Sequence, residues 1–141
     1  MAVDIHKNYP YGCLEDSYEP KDSSGIVEGH MVFQHATTGK IELAVGAVDE
    51  YAMLAMNSAP LGFMDQSEKI QCIKEGGTFW TDKFKAGVSY TYGGQLQVSV
   101  AGGEEGILTI HAGGTAPVIG RYRGTEVINN VQMILFDLVR S

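Results

Sequence analysis

A chain of 141 residues fits one domain and buries enough surface to build a core without disulfide or metal staples. With 10 Lys and Arg against 17 Asp and Glu the formal net charge is −7, so the field of the molecule repels phosphate backbones and anionic lipid. Neither nucleic acid nor membrane is expected as a partner, and the 18 glycines, lacking a three-residue period, exclude collagen and predict many tight turns.

Residues 1–25 are rich in Tyr, Pro, Asp, Glu and Ser, and Pro10 and Pro20 forbid a continuous helix through them. The opening MAVDIHKNYPYG has no basic segment followed by an apolar one, so a signal peptide is not expected, nor is a membrane-spanning segment. The stretch reads as an extended arm whose Tyr11, Leu14 and Tyr18 rest on the body of the chain or on a neighbour. Cys13 and Cys72 are too few for a disulfide framework and are expected as free thiols, with a single bridge as the alternative.

From Gly25 onward the pattern is one of short strands. HMVFQHA and KIELAV flank TTG, with Gly39 where a hairpin needs positive φ, and IQCIK and TFWTDKF flank EGG in the same way. Two hairpins are predicted. Between them, Tyr51 to Met56 is read as a strand, since Pro60 and Gly62 and the lack of a cap argue against a helix.

The glycine doublets of YGGQLQVSVAGGEEGILTIHAGG predict a three-stranded meander. A three-residue loop Tyr92-Gly93-Gly94 sets Tyr90 opposite Leu96, and a loop from Gly102 to Gly106 sets Val98 opposite Ile110. Apolar residues then share one face, and Gln97, Ser99, Thr109 and His111 share a polar face expected to be wet or partner-bound. The final segments VIGRYR and VQMILFDLV read as a strand pair around a loop GTEVINN, with Gln132 to Leu138 a central strand or a short buried helix. The fold class expected is all-β, a small antiparallel β-barrel or sandwich over residues 26–141 with the extended amino-terminal arm over 1–25.

Chemistry is sparse. The glycines lack the Lys and the following helix that a phosphate cradle needs, and Glu104-Glu105 would repel an anion. His30 and His35, five apart, point to opposite faces of a strand, so with His6 and His111 they are expected as structural histidines and no metal site is predicted. No GxSxG elbow and no carboxylate pair suited to catalysis occurs, so the expectation is no catalytic residue, no cofactor and no enzyme. Phe79 and Trp80 must face opposite ways, which leaves one of the pair, with Tyr90 and Tyr92, for a sugar-stacking platform.

In the order of its strands and turns the chain resembles the head decoration, or capsid cement, proteins of tailed bacteriophages. The likeness runs through GIVEGHMVFQHATTGKIELA, GGTFWTDKFKAGVSYTYGGQLQVS, GILTIHAGGTAPVIGRY and the closing VQMILFDLV, over residues 25 to 139. It implies a non-enzymatic protein on the outer capsid surface of the virion that bridges neighbouring major capsid protein subunits. It also implies a homo-oligomer, a trimer before a dimer. The arm, with Tyr11, Leu14 and Tyr18, is the expected contact with the capsid. The alternatives are a glycan- or receptor-binding fibre module using Trp80 and the tyrosines, and a small enzyme using His30, His35 or His111.

Overall fold

A computed structural model of the protein describes residues 3–5, 14–21, 24–46, 52–56 and 69–139. Among them are eleven strands and no helix: β1 (Val3–Ile5), β2 (Leu14–Tyr18), β3 (Met31–Gln34), β4 (Ile41–Leu43), β5 (Met53–Ala55), β6 (Ile70–Glu75), β7 (Thr78–Thr81), β8 (Gln95–Val98), β9 (Leu108–Ile110), β10 (Gly120–Ile128) and β11 (Val131–Asp137). They form a six-stranded sheet, in the order β1-β7-β11-β10-β8-β9, and a five-stranded sheet, in the order β2-β6-β5-β3-β4. Every pairing between them is antiparallel. The all-β expectation holds in its sandwich form, for among the described residues both sheets keep two free ends and no barrel closes.

The main core joins the two sheets. Met31, Leu54 and Ile73 of the five-stranded sheet pack with Phe79, Leu96, Val98, Leu108, Tyr122, Ile134 and Phe136 of the six-stranded one. Because successive strand residues alternate faces, the immediate neighbours Val32, Met53 and Cys72 must point the other way. They are also buried, in a second cluster with Ile26, Ile41, Ala55 and Ile70, so the five-stranded sheet is apolar on both sides. Cys72 is buried there, its thiol directed at Ile70 O at 3.7 Å, whereas Cys13 lies outside the described residues.

The hairpin of β3 and β4 forms as its sequence predicts, with Gly39 at φ +73° in the turn. The strand expected around Tyr51 to Met56 appears as β5, Tyr51 itself lying outside the described residues. Asn129 and Asn130 have φ of +52° and +65°, the two left-handed positions of a type I′ turn. β10 therefore runs straight through GTEVI to Ile128, and the long loop expected there shrinks to two residues. β11 is a central strand between β7 and β10, so the helical alternative for Gln132 to Leu138 falls.

Four expectations are corrected. Strands β6 and β7 do not form a hairpin but belong to different sheets. Gly76 and Gly77, with φ of +90° and +91°, carry the chain across, held by Gly76 N–H to Leu138 O (2.9 Å) and Leu138 N–H to Gly77 O (3.0 Å). Residues 88–90 form no strand, and β8 pairs with β10 and β9 instead. The turn survives, closed by Gly94 N–H to Thr91 O, but Tyr90 packs as an aromatic rather than as a ladder residue. In β8 and β9, Val98 pairs with Leu108 and Leu96 with Ile110, two residues from the predicted register. A slip of two preserves faces, so Leu96 and Val98 still enter the core. The opposite side is not wet, because Gln97 and Ser99 are buried.

The amino-terminal segment is bound into both sheets. β1 is the edge strand beside β7, and β2 the edge strand beside β6, so residues 3–5 and 14–18 extend the sandwich.

Candidate functional site

Of the three expected anchors, Tyr11 lies outside the described residues, and Leu14 opens β2 opposite Glu75. Tyr18 ends β2 opposite Ile70, half-buried against the second apolar cluster, with Lys74 Nζ 5.6 Å from its ring centroid. Strand pairing and the cation over its ring hold Tyr18 to the body. With Gln34, Met53 and Lys74 it lines an open groove of about 340 Å³ across the five-stranded sheet.

The described histidines serve turns. Nδ1 of His30 accepts Val27 N–H at 3.0 Å, Nδ1 of His35 accepts Thr37 N–H at 3.2 Å, and Nδ1 of His111 accepts Gly113 N–H at 3.2 Å. His111 Nε2 lies 2.8 Å from Ala116 O, which fixes the neutral ring with its proton on Nε2. His6 lies outside the described residues. Among the described residues no group of three or more His, Cys, Asp or Glu converges to hold a metal. Burial, then the Lys83 ammonium, holds His30 below its ordinary pKa, with Asp82 acting against them.

The aromatic residues divide as their alternation requires. Phe79 is fully buried and meets Phe136 at 6.3 Å between centroids, while Trp80 is partly exposed. Tyr90 and Tyr92 join a row that the sequence did not reveal: Phe84 against Tyr90, Tyr90 against Tyr122, and Tyr122 against Tyr92. The row leads outward from the core to Tyr92, which is 78% exposed.

Beside that tyrosine the six-stranded sheet narrows to a ribbon. β10 pairs with β8 only at Gly120 and Arg121, and β11 pairs with β7 only from Ile134 to Asp137. Residues 126–128 and 131–133 therefore pair with each other and, among the described residues, with no third strand. The ribbon exposes Val127 at 64% and Val131 at 39%, an unusual use of β-branched side chains at a solvent edge. A bulge between Tyr122 and Gly124 bends it, and Arg123 is tied by Nε to Asp137 Oδ2 at 2.6 Å. The sequence pattern predicts a loop over GTEVINN here. The signal available was a Thr-Glu-Val-Ile run entering an Asn-Asn pair.

Exposed valines beside a surface tyrosine, on a two-stranded extension of a packed sandwich, suit contact with another protein. No protein-family model matches the chain, and no curated protein sequence matches it.

Proposed function

We propose that this is a virion structural protein of the capsid cement type, which binds the outer capsid surface and bridges neighbouring major capsid protein subunits without catalysing a reaction. The observation that carries this reading is the ribbon of β10 and β11, which offers Val127 and Val131 on a sandwich whose two sheets share one core. Cement acts by spanning subunits, so that rupture breaks many modest contacts at once, and a stiff body transmits load between them. The strand order in the sequence supports the reading, through its resemblance to phage head decoration proteins. The seating of Tyr18 in the sandwich moves the expected contact from the arm alone toward the ribbon.

The test mixes the purified chain with phage heads that lack their decoration protein. Co-sedimentation, together with a higher temperature of DNA release, is expected, and Val127→Asp with Val131→Asp should weaken both. Heads that neither bind the chain nor gain heat resistance would overturn the reading. A glycan-binding module remains the second reading, favoured by Tyr92 at the exposed end of the aromatic row. Binding to a glycan array that is lost in Tyr92→Ala would establish it instead.

A further inference from the structure

We propose that residues 19–21 form an ionic latch on β4, which opens without global unfolding, admits solvent to the second apolar cluster and closes less firmly as ionic strength rises. The proposal goes beyond the cement reading and holds whether or not the chain binds a capsid.

The latch exists because the five-stranded sheet is rolled. β2 ends at Tyr18 on one edge of that sheet, yet Pro20 already bridges Ile41 of β4, the strand on the other edge. Two residues span at most about 7 Å, whereas the four strand spacings between those edges would come to about 19 Å in a flat sheet. The sheet must therefore curl until its edge strands nearly meet, though no ladder joins them. Its hollow side holds the second cluster, where Val32, Ile41, Ile70 and Cys72 are fully buried and Tyr18 packs from the opposite edge to Ile41. Pro20 has no N–H to offer β6, which ends β2 and lets the chain cross the seam.

Little holds the seam shut. Both backbone bonds run through one residue, with Ile41 N–H donating to Glu19 O at 3.0 Å and Lys21 N–H donating to Ile41 O at 2.9 Å. One ion pair flanks that bridge on each side: Lys40 Nζ lies 3.6 Å from Glu19 Oε1, and Lys21 Nζ lies 3.4 Å from Glu42 Oε1. Acid and base stand in opposite order on the two segments, so the pairs enforce one register. All four charged side chains keep solvent access, and exposed pairs of this kind are weak and screened by salt. The open groove between Tyr18, Gln34, Met53 and Lys74 borders the same cluster. A contact of two backbone bonds and two screened ion pairs opens at a lower free energy than the sheet it closes.

The test is amide hydrogen exchange of the full chain, resolved by NMR. The Ile41 N–H is bonded across the seam, while the Met56 N–H is bonded within the sheet, to Gln71 O at 2.9 Å, and serves as the reference. The protection factor of Ile41 should lie well below that of Met56. Lys40→Glu, which sets a carboxylate beside Glu19, should lower the Ile41 value about fivefold or more, and adding Glu19→Lys should restore it. Raising sodium chloride from about 0.05 M to about 0.5 M should lower it in the parent and not in Glu19→Gln with Glu42→Gln. Met56 should change far less throughout. An Ile41 amide as protected as Met56, a double reversal that exchanges as fast as Lys40→Glu, or a parent indifferent to salt overturns the proposal. Capsid binding plays no part in the readout, so its failure and that of the cement reading are separate results.

Discussion

Tyr122 stacks on Tyr90 with ring centroids 5.1 Å apart and 16° between their planes. The stack links the core to the surface: Tyr122 is buried and its hydroxyl meets Thr125 Oγ1, while Tyr92 leans on its other side in solvent. Burial makes the two ends of the row unequal. Tyr122→Ala should cost about 3 kcal/mol or more, from lost area and the cavity it leaves. Tyr92→Ala should stay within about 0.5 kcal/mol, as surface substitutions do. Urea unfolding of the two variants checks the contrast.

Tyr90 in the same stack resists ionisation. Burial, with Tyr122 nearby and against a hydrogen bond from Thr109, pushes its phenol up to about 12, and the hydroxyl donates to Lys85 O at 2.7 Å. The folded state thus holds the proton more tightly than the unfolded chain, whose phenol ionises near its usual value of about 10. The stabilisation is complete below about pH 10 and is lost as pH rises through about 12. Absorbance at alkaline pH should show a late tyrosine ionisation step, well above the usual phenol value of about 10. Tyr90→Phe should abolish that late step.

The acid limb is set in part by His30. Its ring is neutral and its Nδ1 receives Val27 N–H, so a proton there would displace that donor. Burial and Lys83 depress its pKa, Asp82 opposing, so the unfolded chain binds the proton first as pH falls. Stability from this site is therefore complete above about pH 6.5 and is lost as pH falls through the lowered folded pKa. Proton NMR of the His30 ring should show a midpoint below that of a free imidazole. Thermal midpoints of His30→Gln should vary less with pH between about 5 and 7 than those of the parent.

Local signals in the sequence were legible and non-local ones were not. The β3–β4 hairpin was readable because Gly39 sits between two apolar runs and its paired residues, from Gln34 with Ile41 to Val32 with Leu43, are at most eleven apart. Gly76-Gly77 carried the same signature yet joined two sheets, since the deciding bonds come from Leu138, more than sixty residues away. The two-residue slip between β8 and β9 had the same origin. Side-chain alternation cannot distinguish registers that differ by two, and Ser99, donating to Glu104 Oε1 at 2.5 Å, fixed the loop. The ribbon was missed because Thr125, Glu126 and Val127 show no buried face to reveal a strand.

Three glycines separate steric need from conformational need. A Cβ at Gly46 would lie 1.9 Å from Val98 O, where Gly46 N–H also bonds Ser99 O, so the backbone of β8 must move to admit alanine. Gly46→Ala is expected to cost about 3 kcal/mol or more, as overpacking against main chain does. Gly93 stands in open space but at φ +76°, so Gly93→Ala should cost about 1 kcal/mol for the left-handed backbone alone. Gly102 has neither constraint, and Gly102→Ala should be neutral or slightly stabilising. Thermal midpoints falling in any other order would contradict the close approach of residue 46 to β8.

The turn at the tip of the ribbon offers a gain rather than a loss. Asn129 and Asn130 both hold positive φ, and asparagine tolerates that region better than other side chains but less well than glycine. In type I′ turns the second position favours glycine most strongly, because it holds positive φ and glycine has no Cβ to strain there. Asn130→Gly should therefore raise stability by about 0.5 kcal/mol, the relief of strain exceeding the extra freedom gained by the unfolded chain. Asn130→Val should lower it by about 1 kcal/mol or more, since a β-branched residue at φ +65° is strongly disfavoured. Hydrogen exchange of the Ile128 and Val131 amides, which close the turn, should slow in the first variant and quicken in the second. If the two variants unfold at the same urea concentration, residues 129 and 130 do not form this turn.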